Sequence, residues 1–274
     1  MDPRFYQITA LAGLLAFGVL RLDFDIPADC IALTLASALV AQFACTRLFR
    51  LPRFDPRSAL ISAMSLCLLL RSDSYAVLAA AAAIAIASKF VLRWNGKHIF
   101  NPANLAVALC IALNWGWISP AQWGSATWLA FLFVCLGGLV VTRAQRADIA
   151  LTFLLVYAGL LFARASWLGD PMTIPIKQLQ SGTLLLFAFF MISDPRTTPS
   201  DFRGRLVMAC AVAVAAFVLQ FQLYNPKGLI YALALLSPLT MILDRVFPAR
   251  IYQWPPTFTE ASSHAQETAR RRNA

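Results

Sequence analysis

Apolar residues fill this chain in long runs separated by short polar segments. The runs cover roughly 5–20, 30–46, 58–70, 74–92, 103–118, 125–142, 148–163, 179–193, 206–223 and 228–244. A helix of about 20 apolar residues can span a bilayer because it satisfies its own backbone groups. The pattern predicts an all-α polytopic membrane protein of about ten transmembrane helices, with residues 1–254 forming a single transmembrane domain and no soluble domain. The first run, from Phe5, has no small-residue cleavage site and leads directly into further spans, so it is expected to be retained. Residues 255–274 are polar and basic, and predict a disordered cytoplasmic tail.

Two runs are too short for ordinary spans. Residues 58–70 and 179–193 cover about 20–22 Å as helix, against a hydrocarbon core of about 30 Å. They are the third and eighth helices, and each closes on a Ser-Asp pair, Ser72-Asp73 and Ser193-Asp194. Each is followed by one long helix and then by an Asn-Pro pair opening another, Asn101-Pro102 and Asn225-Pro226. This spacing predicts two five-helix repeats, about 5–118 and 125–250. Five is odd, so the copies have inverted orientation. Interrupted segments at matching positions of inverted repeats point to a binding site between the halves. Helix ends also favour Asn, Asp and Pro without any repeat.

Composition supports the membrane reading. The chain is 59% hydrophobic and 13% charged, where soluble domains carry roughly a quarter charged residues. The formal net charge of +10 is read as the positive-inside bias of membrane loops rather than as a nucleic-acid footprint. With the N-terminus inside, the inner segments hold Arg4; Arg47, Arg50, Arg53 and Arg57; Lys89, Arg93 and Lys97; Arg143 and Arg146; Arg196, Arg203 and Arg205; and Arg245, Arg250 and Arg270 to Arg272. Only Arg21, Arg71, Arg164, Lys177 and Lys227 lie outside. The bias predicts a bacterial inner-membrane protein with both termini cytoplasmic. The six cysteines are scattered singly through apolar runs without metal-ligand spacing, and read as core residues. No metal site is expected.

Inversion sorts the polar motifs by face. The inner face carries Asn95 to Asn104 and Ser193 to Arg205. The outer face carries Arg71 to Ser74, Gly169 to Pro175 and Tyr224 to Gly228. The inner cluster is the richer one. Asn101 and Asn104 share a helix face, and their amides offer both donors and acceptors to a heteroaromatic edge. Lys97, His98 and Arg196 add basic side chains. The candidate cofactor-binding residues are Lys97, His98, Asn101, Asn104, Asp194, Thr197 and Thr198, with Asp73, Thr173 and Asn225 as lesser candidates. A purely structural reading stands beside this one: Asn101 caps its helix, Asp194 caps a turn, and the basic residues and His98 sit at the membrane interface. No nucleophile motif, phosphate-binding loop or dinucleotide fingerprint is present.

The segments FAFFMISDPRTTPSDFRGRLVMA (187–209), YNPKGLIYALALLSPLTMILD (224–244) and GKHIFNPAN (96–104) resemble the membrane subunit family shared by the B subunit of sodium-pumping NADH:quinone oxidoreductase and the D subunit of the Rnf complex (the NqrB/RnfD family). The resemblance covers about 60–250. It implies two inverted five-helix repeats carrying flavins as electron relays, within a complex of other membrane subunits that supply the NADH and iron–sulfur sites. The family attaches flavin mononucleotide to a Thr in a Ser-Gly-Ala-Thr-Pro-like sequence on the outer side. Here the equivalent reads GDPMTIPIK, where Thr173 precedes Ile174, and alignment on Pro175 puts Ile174 at the attachment position. The cofactor implied is therefore a flavin, riboflavin or FMN, held non-covalently. The chain lacks the long N-terminal extension of the sodium-pump subunit, as expected of a stand-alone paralogue such as those associated with enediyne gene clusters. Whether the subunit is itself catalytic is left open. A small-solute transporter or channel using the same inverted-repeat cavity is the competing reading, and a purely structural assembly subunit the third.

Overall fold

The computed structural model describes residues 2–24, 26–118, 123 and 127–253. The expected tail, 255–274, lies outside the described residues. The chain folds into helices α1 (Pro3–Arg21), α2 (Ala28–Leu48), α3 (Arg57–Leu69), α4 (Tyr75–Val91), α5 (Pro102–Ala112), α6 (Thr127–Arg143), α7 (Ala147–Leu168), α8 (Thr173–Leu179), α9 (Gly182–Leu186), α10 (Phe202–Phe217), α11 (Gly228–Leu236) and α12 (Leu239–Val246). The helix α9 runs on into a π-helical turn, Phe187–Met191, and α10 into another, Val218–Gln222.

Local chemistry explains where helices begin and end. The side chain of Asp2 accepts from the Arg4 amide at 3.0 Å, with Pro3 as the first helical residue. Asn101 accepts from the Asn104 amide at 3.0 Å, with Pro102 following. Asp201 accepts from the Arg203 amide at 2.8 Å to open α10. Short polar side chains at these positions satisfy amides that have no intrahelical partner. Gly169 ends α7 with φ +73°, the left-handed geometry favoured by glycine.

Among the described residues, four helices are long and apolar enough to cross a membrane: α1, α2, α7 and α10 with its π turn. Two bent pairs add to these: α8 with Gly182–Met191, bent by 47°, and α11 with α12, bent by 48° at Ser237–Pro238. The helices α3, α4, α5 and α6 are shorter apolar helices of 10–17 residues. The molecule is a multi-pass helical membrane protein.

Three details depart from the expected helices. The expected fifth span, 103–118, is helical only to Ala112. Its end leaves the helix through Asn114, at φ +55°, and pairs as strand β4 (Trp117–Ile118) with β1 (Leu70–Arg71). A second ladder joins β2 (Arg93–Trp94) to β3 (Lys97–His98) across Asn95-Gly96. Both turn residues have positive φ, +46° and +77°, the geometry for which Asn-Gly is suited. The fold is therefore all-α apart from two minimal ladders. The short helix α8 had no counterpart in the hydrophobic pattern because it is only seven residues long.

Packing follows a regular scheme. The helix α2 packs on α4 as α7 packs on α10; α4 packs on α5 as α10 packs on α11; α1 packs on α3 as α6 packs on α9. Across the two halves, α1 meets α6 and α5 meets α11. Buried apolar side chains from both halves form one continuous cluster. Interloop contacts segregate to two ends of the bundle. The hairpin end holds β2–β3, the α2–α3 turn and residues 194–201. The ladder end holds β1–β4, where the Ser72 hydroxyl donates to the Trp115 carbonyl at 2.8 Å and the Tyr75 hydroxyl to Asp29 at 2.5 Å.

The helix α6 touches the π-helical turn through Gly137. A Cβ added there would lie 2.4 Å from Cγ of Phe189, whereas one added at Gly138 would meet nothing within 4 Å. Gly137→Ala is therefore expected to overpack this contact by about 1–3 kcal/mol and lower the apparent Tm in detergent. Gly138→Ala, one residue along the same helix, should leave it unchanged.

Candidate functional site

A cavity of about 340 Å³ opens at the hairpin end, within the range of about 300–1,000 Å³ usual for small-molecule sites. Almost every element of the first half contributes to its wall. The helix α1 supplies Arg4 and Gln7, α2 supplies Gln42, α3 supplies Ser58, Ser62 and Ser65, and α4 supplies Lys89 and Phe90. The hairpin adds Arg93 and His98, and the start of α5 adds Asn101 to Ala103. The second half closes the cavity with Phe190 from the π-helical turn and with Asp194 and Arg196 just beyond it.

Lys89 is buried at the end of α4 and donates to the Ser58 carbonyl at 2.7 Å and the Ser58 hydroxyl at 3.0 Å. An ammonium has three donors, so one more is available. Gln42 is only 7% exposed, and its Oε1 has no partner among the described residues. His98 Nδ1 likewise has none. Buried polar atoms without partners cost about 1–3 kcal/mol each, and both of these residues line the cavity. Burial, reinforced by the charges of Arg196, Lys89 and Arg93, pushes His98 down to about 3. The imidazole is therefore neutral at physiological pH. Burial raises Asp194 above the ordinary carboxylate range, against the Arg196 amide and the charges of Lys89, Arg196 and Arg146.

At the edge of the cavity, Arg4, Asp2, Asp55 and Arg57 form a charge-balanced network. Arg4 pairs with Asp2 at 2.6 Å and also with Asp55; Arg57 pairs with Asp2 at 3.0 Å and Asp55 at 2.8 Å. Burial alone would raise Asp55, but the hydrogen bond and charge of Arg57 and the charge of Arg4 outweigh it and hold the carboxyl low. With that network neutral, the remaining cavity charges are Lys89, Arg93 and Arg196 against Asp194.

The sequence candidates divide. His98, Asn101 and Asp194 line the cavity; Lys97, Asn104, Thr197 and Thr198 do not. Lys97 donates to Asp244 at 2.6 Å, to the Thr198 carbonyl at 2.6 Å and to the Ser200 hydroxyl at 3.2 Å, tying the hairpin to α12. Burial lowers its pKa, against Asp244. Thr198 accepts from Arg146 Nε at 3.1 Å, and Thr197 donates to the Asp194 carbonyl at 3.2 Å. Asn101 donates to the Met191 carbonyl and Asn104 to the Ile230 carbonyl, both at 3.1 Å. Both asparagines thus have roles inside the protein, and Asn104 Oδ1 is left buried without a partner. At the ladder end, Asp73 and Thr173 are exposed, and Asn225 accepts from the Lys227 amide at 3.0 Å in the turn before α11. A smaller cavity of about 160 Å³ there is lined by residues including Tyr157, Thr183 and Gln220, and by none of those three.

Gln42 and Lys89 were not among the sequence candidates. A signal existed, because both lie inside apolar runs, where an ionisable or amide side chain is a functional-site hypothesis in itself. No group of three or more metal-ligating side chains occurs among the described residues.

These features define a multi-pass helical membrane protein with a polar, net-cationic cavity at one end of the bundle. Residues 110–253, just over half of the chain, match the NQR2, RnfD, RnfE family, and the chain belongs to that family. Its relatives include D subunits of ion-translocating oxidoreductase complexes from Salmonella paratyphi B and Salmonella newport. Each is 32% identical over 141 residues, a stretch covering 50% of this chain and 37% of the relative. The chain thus aligns with well under half of the length of these relatives.

The role of Lys97 can be tested through its partner. Breaking a buried ion pair by removing one member costs about 3–5 kcal/mol. Lys97→Met should therefore lower the apparent Tm sharply, and Lys97→Met with Asp244→Leu should recover a large part of the loss.

Proposed function

We propose that this chain is a membrane subunit of an ion-translocating oxidoreductase complex and holds a non-covalent flavin in the hairpin-end cavity as an electron relay. The family, and relatives named as D subunits of ion-translocating oxidoreductase complexes, support the class of complex. The observation that carries the flavin is the cavity itself, whose wall holds Lys89 and a buried Gln42 Oε1 without a partner among the described residues.

The residues present fit such a ring. The isoalloxazine edge carries an imide N–H between two carbonyls. Gln42 Oε1 would accept from the N–H, and the third donor of Lys89 would reach a carbonyl. Phe90 and Phe190 provide flat apolar walls. When bound, the flavin supplies one- and two-electron redox chemistry. The protein binds and orients the ring, keeps water from it, and places the charge of Lys89 at its polar edge. Thr173, exposed and remote from this cavity, takes no part in holding this flavin.

In this reading the subunit has ten spans arranged as two inverted five-helix repeats, with both termini cytoplasmic in a bacterial inner membrane. The matched packing of α2–α4 with α7–α10, and of α4–α5 with α10–α11, supports the repeat. Other membrane subunits supply the electron donor and acceptor sites. Reporter fusions after Ala274 and within 119–124 should report opposite sides of the membrane; a periplasmic C-terminus would remove the assignment of faces.

The purified chain should carry about one equivalent of flavin by absorbance, released on denaturation. Gln42→Leu should lower retained flavin about tenfold, as expected for one lost hydrogen bond and its unpaired partner, with the amount of folded protein unchanged. Wild-type protein that neither retains nor rebinds flavin would end the relay reading and leave solute transport in liposomes as the function to measure.

A further inference from the structure

The helices α1 and α6 pack together where the two halves meet, and they leave a groove of about 460 Å³ between them on the outside of the bundle. Its wall is built from Phe5, Tyr6, Ala10 and Gly13 of α1 and from Leu136 and Leu139 of α6. Gly13 widens it, since a Cβ there would meet nothing within 4 Å. Contacts between the same two helices close the groove at both ends. Towards the ladder end, Phe17 of α1 meets Trp128 of α6 edge to face, with ring centres 5.6 Å apart. At the hairpin end, the Arg143 guanidinium lies 5.0 Å from the centre of the Tyr6 ring, and its Nη1 donates to the Tyr6 hydroxyl at 3.4 Å.

Arg143 is exposed and lies one helical turn beyond Leu139 on the same face of α6. Among the described residues no carboxylate pairs with it. A guanidinium has five donors in a planar fork, and Tyr6 takes one of them. An apolar slot thus leads directly to a cation that the fold does not neutralise. The length of the slot decides between membrane occupants. From Tyr6 to Gly13, α1 rises about 11 Å, less than the ~15 Å of one hydrocarbon leaflet. A transmembrane helix of another subunit needs contact across about 30 Å and would meet Trp128 part-way. An acyl chain from one leaflet fits a slot that is closed at both ends.

We propose that the α1–α6 groove is a site for an anionic phospholipid of the leaflet at the hairpin end, with one acyl chain in the slot and the headgroup phosphate on Arg143. A zwitterionic headgroup carries its own cation beside the phosphate, and the hairpin end already exposes Arg47, Arg50 and Arg143. An anionic headgroup answers that excess, and charge-assisted bonds from a guanidinium to phosphate are among the strong ones. Basic side chains where transmembrane helices leave the bilayer attract anionic lipid for the same reason. The groove is separate from the hairpin-end cavity, and the proposal is independent of the flavin reading.

The test is native mass spectrometry of the delipidated full chain in neutral detergent, titrated with phosphatidylglycerol and with phosphatidylcholine of the same acyl chains. The one-lipid adduct should form about fivefold more tightly with phosphatidylglycerol, as expected for one basic side chain at the membrane surface. Arg143→Gln should abolish that preference, and Arg143→Lys, which keeps the charge, should retain most of it. Gly13→Leu places a side chain in the open groove without touching the core, and should weaken both lipids at least about fivefold. Gly159→Leu, at an exposed glycine of α7 that is equally open, should alter neither. Equal affinities that ignore Arg143→Gln would overturn the headgroup assignment. Adducts that ignore Gly13→Leu would overturn the slot. The absence of a one-lipid adduct with either lipid would overturn both and leave this face to another subunit.

Discussion

Helices that stop part-way across a bilayer leave amides and carbonyls that no water can reach, and this fold depends on how those groups are satisfied. The start of α5 supplies much of the answer. Asn101 Oδ1 accepts from the Asn104 amide, Asn101 Nδ2 donates to the Met191 carbonyl, and Asn104 Nδ2 donates to the Ile230 carbonyl. Two side chains thereby join α5 to the π-helical turn after α9 and to α11. Each bond left unmade would strand a buried group at about 1–3 kcal/mol. The same helix start forms part of the cavity wall, so satisfying the backbone and shaping the site are one requirement.

Charge at the hairpin end is divided between locking and binding. The Asp2–Arg4–Asp55–Arg57 network holds the start of α1 to the α2–α3 turn, Lys97–Asp244 holds the hairpin to α12, and Arg205–Asp148 holds α10 to α7. Buried pairs of this kind often add little net stability, because desolvation offsets attraction. Their effect is geometric, since each joins segments distant in sequence. Once these pairs are closed, Lys89, Arg93 and Arg196 outnumber the one carboxylate left beside them. A cluster serving only the fold would gain from neutralisation. All three line the cavity.

Much of the scaffold was legible from hydrophobic pattern and helix punctuation. The apolar runs fall on helices, and Asn101-Pro102 opens α5 as Asn-Pro chemistry requires. The bends were not legible. The run 228–244 is continuously apolar, and Ser237-Pro238 turns it by 48° without interrupting hydrophobicity. Nor did the pattern reveal which polar residues would be used up inside the protein. Asn104 and Lys97 looked like ligand-facing groups, but their partners, Ile230 and Asp244, lie 126 and 147 residues away. Such pairing is set by tertiary contact and leaves no local signature. Gln42 and Lys89 escaped for the converse reason: one or two polar side chains hardly change an apolar run, and their convergence requires α2 to pack on α4.

Under the inverted-repeat reading, the hairpin-end cavity and the cavity of about 160 Å³ at the ladder end are built from corresponding elements and differ in how their polar groups are satisfied. Gln42 on α2 and Lys89 near the end of α4 line the hairpin-end cavity; Tyr157 on α7 and Gln220 in the π turn after α10 line the ladder-end one. In the ladder-end pair, the Tyr157 hydroxyl donates to the Gln220 amide oxygen, so the two groups satisfy one another. In the hairpin-end pair, Lys89 turns to Ser58, and Gln42 Oε1 has nothing. The ladder-end cavity is also less than half the size, and among the described residues Lys227 is the one charged side chain lining it. Among the described residues Gln42 Oε1 is a buried acceptor without a partner that lines a cavity, whereas Asn104 Oδ1, equally unpartnered, does not line it. The proposed flavin site rests on that difference between the two ends.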